Sequence, residues 1–487
     1  MTATAEEVID SPGRDVIVTT TAGRLRGRQE GEVARFLGIP YAAAPFGRHR
    51  FAAPAPVEAW DGVRDALAFG PTAPKGGYAP PLDQLLPDPD VPGDECLNLN
   101  VWAPSPPSQG RPVMVWMHGG SFRNGSSAVP VYDGTAFARD SVVLVSVNYR
   151  LGVEGFAVFP DAPANRGLLD LIAALQWVRD NITEFGGDPA NVTVFGESAG
   201  AIAVGALLVS PLAAGLFRRA VMQSGPPLAV TPAVGGAITH QIAKRLGVAP
   251  TAAAFAAVDR AALLAAQVAA TRAGNPLSGG AGFGIVVDGV VVTSDPLTAL
   301  RTGPSGGVDL LVGYNREEYR LWFVPTGVVD RINSLTLRLA MLKFRIKGKV
   351  ARVYRRNRPS AKPGEILGSI AGDMLMRVPV SRVAQDRPGT YVYEFAWPSP
   401  VGGLGACHAL EIAFVFDTLD RPETQALTGP HPPQELADRM HQAWVAFATT
   451  GDPGWPAYGA ERAVMRFDLP SSGVVHAPDD DELSVWP

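Results

Sequence analysis

Residues 191–200 read Asn-Val-Thr-Val-Phe-Gly-Glu-Ser-Ala-Gly, a Gly-x-Ser-x-Gly frame centred on Ser198 with Gly196 before it and Gly200 after it. An apolar, β-branched run precedes the frame and an apolar helical run follows it. A serine between a strand and a helix sits on a sharp turn, and glycines two residues away on each side relieve the crowding there. Its hydroxyl then stands beside a helix N-terminus, which favours negative charge. The chemistry this suits is attack on a carbonyl carbon. A serine hydroxyl is a weak nucleophile until a base takes its proton, commonly a histidine oriented by a carboxylate. The chain offers seven histidines, at 49, 118, 240, 408, 431, 441 and 476. On a strand–serine–helix turn the orienting acid follows the serine and precedes the histidine. The run 312–322 lies in that interval and holds two adjacent candidates, Glu317 and Glu318. A tetrahedral intermediate also needs preorganised N–H donors. Ala199, next after the serine, is one candidate, and the run His-Gly-Gly-Ser-Phe at 118–122 offers others.

The segment 185–200 as a whole resembles the active-site signature of the type-B carboxylesterase family, which includes cholinesterases and bacterial p-nitrobenzyl esterases. Further matches occur in order along nearly the whole chain: Phe-Leu-Gly-Ile-Pro-Tyr at 36–41, Arg50 and Phe51, Asp-Glu-Cys-Leu-Asn-Leu-Asn-Val-Trp at 94–102, Asn-Tyr-Arg at 148–150, Gln-Ser-Gly at 223–225, and Asp288 with Gly289. The resemblance implies an α/β-hydrolase that cleaves carboxylic esters through an acyl-enzyme, with no cofactor. It implies Ser198 as nucleophile and His408, within the run 405–416, as base. Aligned on Gly313, it gives Glu318 as the orienting acid, although Tyr319 stands where the family usually has glycine. By the same resemblance the oxyanion donors are the N–H groups of Gly120, Ser121 and Ala199, and Glu197 and Ser224 support the site from behind. Family members with Gly-Gly-Gly or Gly-Gly-Ala at the oxyanion loop accept bulky tertiary alcohols, and here the run is Gly119, Gly120, Ser121. Cys96 takes the position of a disulfide cysteine in secreted members, but residues 1–95 hold no cysteine to pair with it, so it reads as a free thiol.

The rival readings are a lipase, thioesterase, amidase or carbamate hydrolase on the same residues, or a non-catalytic adhesion module of the same fold. The intact Ser198, Glu318 and His408 set argues against the module. His118 could be read as a metal ligand, but no second histidine or carboxylate stands at ligand spacing, so no metal is expected.

Positioning these residues requires a sheet. Short Val-rich runs at 113–118, 142–148, 192–195, 220–224, 310–313 and 391–397 lack clean alternation, as suits parallel strands covered on both faces. Helical patterns at 167–180 and 199–209 fall between them, and alternation of this kind argues for an α/β fold with a mostly parallel, twisted sheet; the family resemblance implies helices on both faces and large loop insertions over the active site. One domain is expected over 15–487, with residues 1–14 a flexible N-terminus. Residues 71–93 hold seven prolines. They read as an irregular excursion, and the family resemblance implies that it rims the pocket mouth and is mobile.

Of the 487 residues 46% are hydrophobic and 18% charged, which supports a large core and excludes a disordered chain. A formal net charge of −5 gives no general attraction to nucleic acid or an anionic membrane. The residues at 338–358 depart from this balance, with nine basic residues and no acidic one. They read first as a solvated helix face, with an anionic contact surface as the sharper alternative. No apolar run approaches the ~20 residues of a membrane-spanning helix, and residues 1–14 do not resemble a secretory signal. Two cysteines are too few for a disulfide framework. The expectation is therefore a cytoplasmic protein. Its richness in Arg, Ala, Gly and Pro suggests a bacterial gene. The expected partner is a small-molecule ester, and whether the protein is a monomer or a homodimer is open.

Overall fold

The computed structural model describes residues 13–271, 282–303 and 307–486, so the expected flexible terminus lies almost wholly outside the described residues. Thirteen strands among the described residues join one sheet. The first seven are β1 Arg14–Thr20, β2 Gly23–Glu30, β3 Val33–Pro40, β4 Val63–Asp65, β5 Asn98–Pro104, β6 Arg111–Met117 and β7 Val143–Val147. The rest are β8 Gly187–Glu197, β9 Arg219–Gln223, β10 Asp309–Asn315, β11 Tyr391–Phe395, β12 Ala463–Phe467 and β13 Gly473–His476. Their spatial order is β1-β2-β3-β5-β7-β6-β8-β9-β10-β11-β12-β13, with β4 beside β2. From β7 to β12 every pairing is parallel. Toward both edges the pairings are antiparallel, except that β4 lies parallel to β2.

The central strands are apolar on both faces because both faces are covered. Successive residues of β6 point to opposite sides. Val113, Val115 and Met117 join one core with Leu168, Leu171, Leu175 and Val204. Met114 and Trp116 join the other, with Phe195, Met440, Trp444 and Phe447. Helices Arg166–Asn181 and Ala199–Leu207 cover the first side and Gln434–Thr450 the second. The six expected strands and two expected helices are all present. Strands β1 to β5 at the N-terminal edge and β12 and β13 at the other were not anticipated.

The proline-rich excursion contains only a single short turn of helix, Leu82–Gln84. Its base is tied rather than loose. Thr72 and Val91 close it with a 2.9 Å backbone hydrogen bond, and Asn98 donates to the Pro71 carbonyl at 2.7 Å. Lys75 forms a buried ion pair with Asp88 and donates to the carbonyls of Pro89 at 2.6 Å and Gly125 at 3.3 Å. Asp88 in turn accepts from the Gly125 N–H and the Asn124 side chain, each at 3.1 Å. The expectation of a mobile excursion is thereby narrowed to its tip. Cys96 and Cys407 are both buried and free.

Candidate active site

β8 ends at Glu197 and a helix begins at Ala199, leaving Ser198 alone on the turn with φ 54° and ψ −118°. Positive φ is costly for a residue with a side chain and persists only where the surroundings impose it. Two hydrogen bonds do so: the Ser198 N–H donates to Gln223 O on β9, and its carbonyl accepts from Ile202 N–H in the helix, both at 2.9 Å. A Cβ at Gly200 would strike the Met117 carbonyl of β6, so the helix can pack this close to the sheet only with glycine there.

The base and acid come from loops beyond the same sheet edge. His408 Nδ1 lies 2.6 Å from Glu318 Oε2. The other oxygen of that carboxylate accepts the Asn315 N–H at 2.7 Å, so the last residue of β10 fixes its orientation. Glu317 faces elsewhere, pairing with Arg320 at 2.6 Å and accepting the Ala406 N–H at 3.2 Å. The Trp322 ring packs 4.6 Å from the imidazole.

On the opposite side of the ring, His408 Nε2 lies 2.9 Å from Glu197 Oε1, a charge contact not aligned as a hydrogen bond. Among the described residues the Ser198 hydroxyl has no recorded hydrogen bond. Gly119 makes room for this arrangement, since a Cβ there would come within 2.6 Å of Glu197 Oε2. Glu197 thus touches His408 itself instead of standing behind it. Ser224 is buried with its hydroxyl unpartnered among the described residues. Its neighbour Gln223 enters the site's network instead, donating to Glu411 at 3.2 Å and accepting from Trp444 at 3.0 Å.

Ser121 and Gly120 lie on a tight turn in which the Arg123 and Asn124 N–H groups both return to Gly120 O, at 3.1 and 2.9 Å. Ser121 and Phe122 both take positive φ, 56° and 57°. The N–H groups of Gly120 and Ser121 take part in no recorded backbone hydrogen bond among the described residues. Gly119, Gly120, Ser121, Ser198, Glu197 and His408 line one cavity of about 450 Å³. Its remaining wall is mostly apolar, including Leu85, Leu86, Val131, Trp322, Ile412 and Leu427, and residues 76–80 of the excursion form part of its rim.

Three buried carboxyls crowd one imidazole. Burial alone would depress His408, but the charges of Glu197 and Glu318 outweigh it and hold the ring well above its ordinary value. Burial raises Glu197 against the opposing pull of His408. Burial, followed by the charges of Glu197 and Glu318, pushes Glu411 up to about 8, despite a 2.6 Å hydrogen bond from Asn315. His118 lies away from this cluster, stacked on Tyr149 at 4.5 Å, with Nδ1 2.8 Å from Gly119 O. Burial drives it down to about 3, so it is neutral.

Sequence reasoning did not identify Asn315, Gln223, Glu411 or the Lys75–Asp88 pair. Glu411 follows His408 by three residues, and Asn315 closes a strand just before the glutamate pair. Those positions were the available signals.

The model of the carboxylesterase family matches residues 14–486. The chain is 37% identical over 465 residues to the para-nitrobenzyl esterase of Bacillus subtilis, covering 91% of this chain and 93% of that one. It is 34% identical over 470 residues to the phenmedipham hydrolase of Pseudarthrobacter oxydans, covering 91% and 93%. A solved carboxylesterase from Geobacillus stearothermophilus superposes with a TM-score of 0.86 at 37% identity, covering 97% of this chain and all of that one. A parallel-centred sheet, a serine on its elbow and likeness along nearly the full length all agree: the chain belongs to the carboxylesterase family, α/β-hydrolases that hydrolyse carboxylic esters.

Proposed function

We propose that Ser198, His408 and Glu318 carry out ester hydrolysis on small to medium esters with apolar groups. The observation that carries this reading is the 2.6 Å contact of His408 with a carboxylate whose second oxygen is fixed by the Asn315 N–H, at the cavity that Ser198 lines. His408 Nε2 takes the proton of the Ser198 hydroxyl as the oxygen attacks the ester carbonyl carbon. The N–H groups of Gly120, Ser121 and Ala199 receive the charge that develops on the carbonyl oxygen. Collapse breaks the C–O bond, and His408 returns the proton to the departing alcohol. Water then attacks the acyl-serine, giving up its proton to His408, and the acid leaves as the proton returns to Ser198. Glu318 holds the ring in orientation and stabilises the imidazolium.

The apolar wall and the name of one relative, a para-nitrobenzyl esterase, support aryl and alkyl esters as substrates. No helix among the described residues is long and apolar enough to cross a membrane. Two buried free thiols are in keeping with a reducing compartment, which supports a cytoplasmic location.

The test is hydrolysis of p-nitrophenyl acetate, together with a fluorophosphonate label located by mass spectrometry. Label on Ser198, and a loss on the order of a million-fold in Ser198→Ala, are expected. Label on another serine overturns the assignment.

A further inference from the structure

Helices Ser334–Lys343 and Gly348–Asn357 form the basic stretch noted in the sequence. The first turns Leu337 and Met341 inward, into a small core with Val350, Tyr354, Ile366 and Ile370. Its outer face carries Leu335, Leu339 and Leu342, which are 64%, 58% and 77% exposed. Steps of four and three residues put these leucines on one stripe of the helix, away from the inward pair. Isolated exposed leucines need no explanation, but an aligned triplet on a helix already anchored by its other face does.

The surroundings of the stripe say what it meets. Arg338, Lys343, Arg345, Lys347, Lys349 and Arg352 are exposed. Among the described residues none of the six has a recorded ion pair, whereas Arg356 and Arg358 pair with Asp481 and Glu482. An apolar stripe in a field of unpaired cations is complementary to a surface that is anionic outside and apolar just beneath. A nucleic acid would use the cations and leave the leucines in water. A second copy of the chain would bring two like-charged patches together.

We propose that this face docks on an anionic lipid surface, the leucines entering the boundary between headgroups and acyl chains and the cations meeting lipid phosphates. The stretch is a local exception in a chain of net charge −5, so docking is oriented by this face and does not follow from overall charge. It is also independent of which residues catalyse hydrolysis.

The test is flotation with vesicles of phosphatidylcholine containing phosphatidylglycerol, against vesicles of phosphatidylcholine alone. The protein should float with the anionic vesicles at low salt, remain behind with the neutral ones, and be released as salt rises. Each cation reversed, as in Arg338→Glu and Lys347→Glu, should lower partitioning about five-fold or more. The triple change Leu335→Ser, Leu339→Ser, Leu342→Ser should reduce it by on the order of a hundred-fold. Hydrolysis of p-nitrophenyl acetate should be unchanged in all variants, which shows that they are folded. No flotation of the native protein, or flotation unaltered by the leucine changes, overturns the proposal. So does a dimer in solution that the leucine changes dissociate, since the face would then be a contact between copies.

Discussion

Glu197 Oε1 lies 2.9 Å from His408 Nε2, on the ring nitrogen opposite the one held by Glu318. The imidazole is therefore clamped between two carboxylates, and the residue preceding Ser198 competes for the nitrogen that the proposed mechanism assigns to the serine proton.

This clamp sets the expected pH dependence. The acid limb of kcat/KM reports the base of the free enzyme. The charges of Glu197 and Glu318 raise His408 despite its burial, so it stays protonated, and inactive as a base, to a higher pH than an ordinary histidine. Activity should be low in acid and rise with a midpoint above the ordinary imidazole value. Glu197→Gln removes one of the two raising charges, so its midpoint should move down in pH. A full pH–rate profile of both proteins checks this, and an unmoved midpoint contradicts it.

The two adjacent glutamates should separate cleanly. Glu318→Gln loses the ion that orients His408 and stabilises its cation, and a drop of about ten-thousand-fold in kcat is the scale seen when a triad acid becomes an amide. Glu317→Gln disturbs a partly exposed pair with Arg320 and should cost less than about ten-fold. Steady-state kinetics on p-nitrophenyl acetate distinguish them, and equal losses would show that Glu318 is not the orienting acid.

Lys75 and Asp88 tie the excursion to the oxyanion loop at Asn124 and Gly125. Lys75→Met leaves a buried charge unpaired and should cost about 3 kcal/mol of stability. Adding Asp88→Leu removes that charge and should recover much of the loss, read as the denaturation midpoint. Turnover should fall in the double variant below that of Lys75→Met, because Asp88→Leu takes away the acceptor of the Gly125 N–H and the Asn124 side chain. A double variant as active as the native protein would sever the excursion from the oxyanion loop.

What the sequence made legible follows from how local each signal is. The central strands show themselves because burial on both faces demands unbroken apolar runs such as the one ending β6. The elbow shows itself because its crowding demands Gly196 and Gly200. Strands β2 and β3 carry Arg24, Arg26, Arg28 and Arg35 on partly exposed faces, which interrupts any apolar run, and β1 offers only Val16, Ile17 and Val18. Asn315 and Glu411 are invisible for another reason. Their roles come from a 2.6 Å contact between residues 96 apart, which no local pattern encodes. The contact of Glu197 with His408 spans more than two hundred residues and is equally hidden.

Ser121 governs the alcohol side of the substrate in the last expectation. Its N–H lies among the proposed oxyanion donors, and the residue lines the cavity beside Gly119 and Gly120. Small residues here supply backbone donors while leaving space next to the attacked carbonyl. Serine is only slightly larger than alanine, so most of that space should remain. The protein should hydrolyse tert-butyl acetate measurably, though more slowly than p-nitrophenyl acetate. Ser121→Ala isolates the hydroxyl, because φ at 121 is 56° and alanine meets the same backbone cost as serine. Ser121→Gly would relieve that cost as well and confuse the comparison. If the hydroxyl points into the alcohol space, the alanine variant gains rate on tertiary esters and keeps its rate on p-nitrophenyl acetate. If it donates to the oxyanion instead, kcat falls on every ester, by about a hundred-fold for a donor fully engaged in the transition state. No turnover of the tertiary ester by either protein would mean that the alcohol space is closed by the walls beyond Ser121, and the expectation fails.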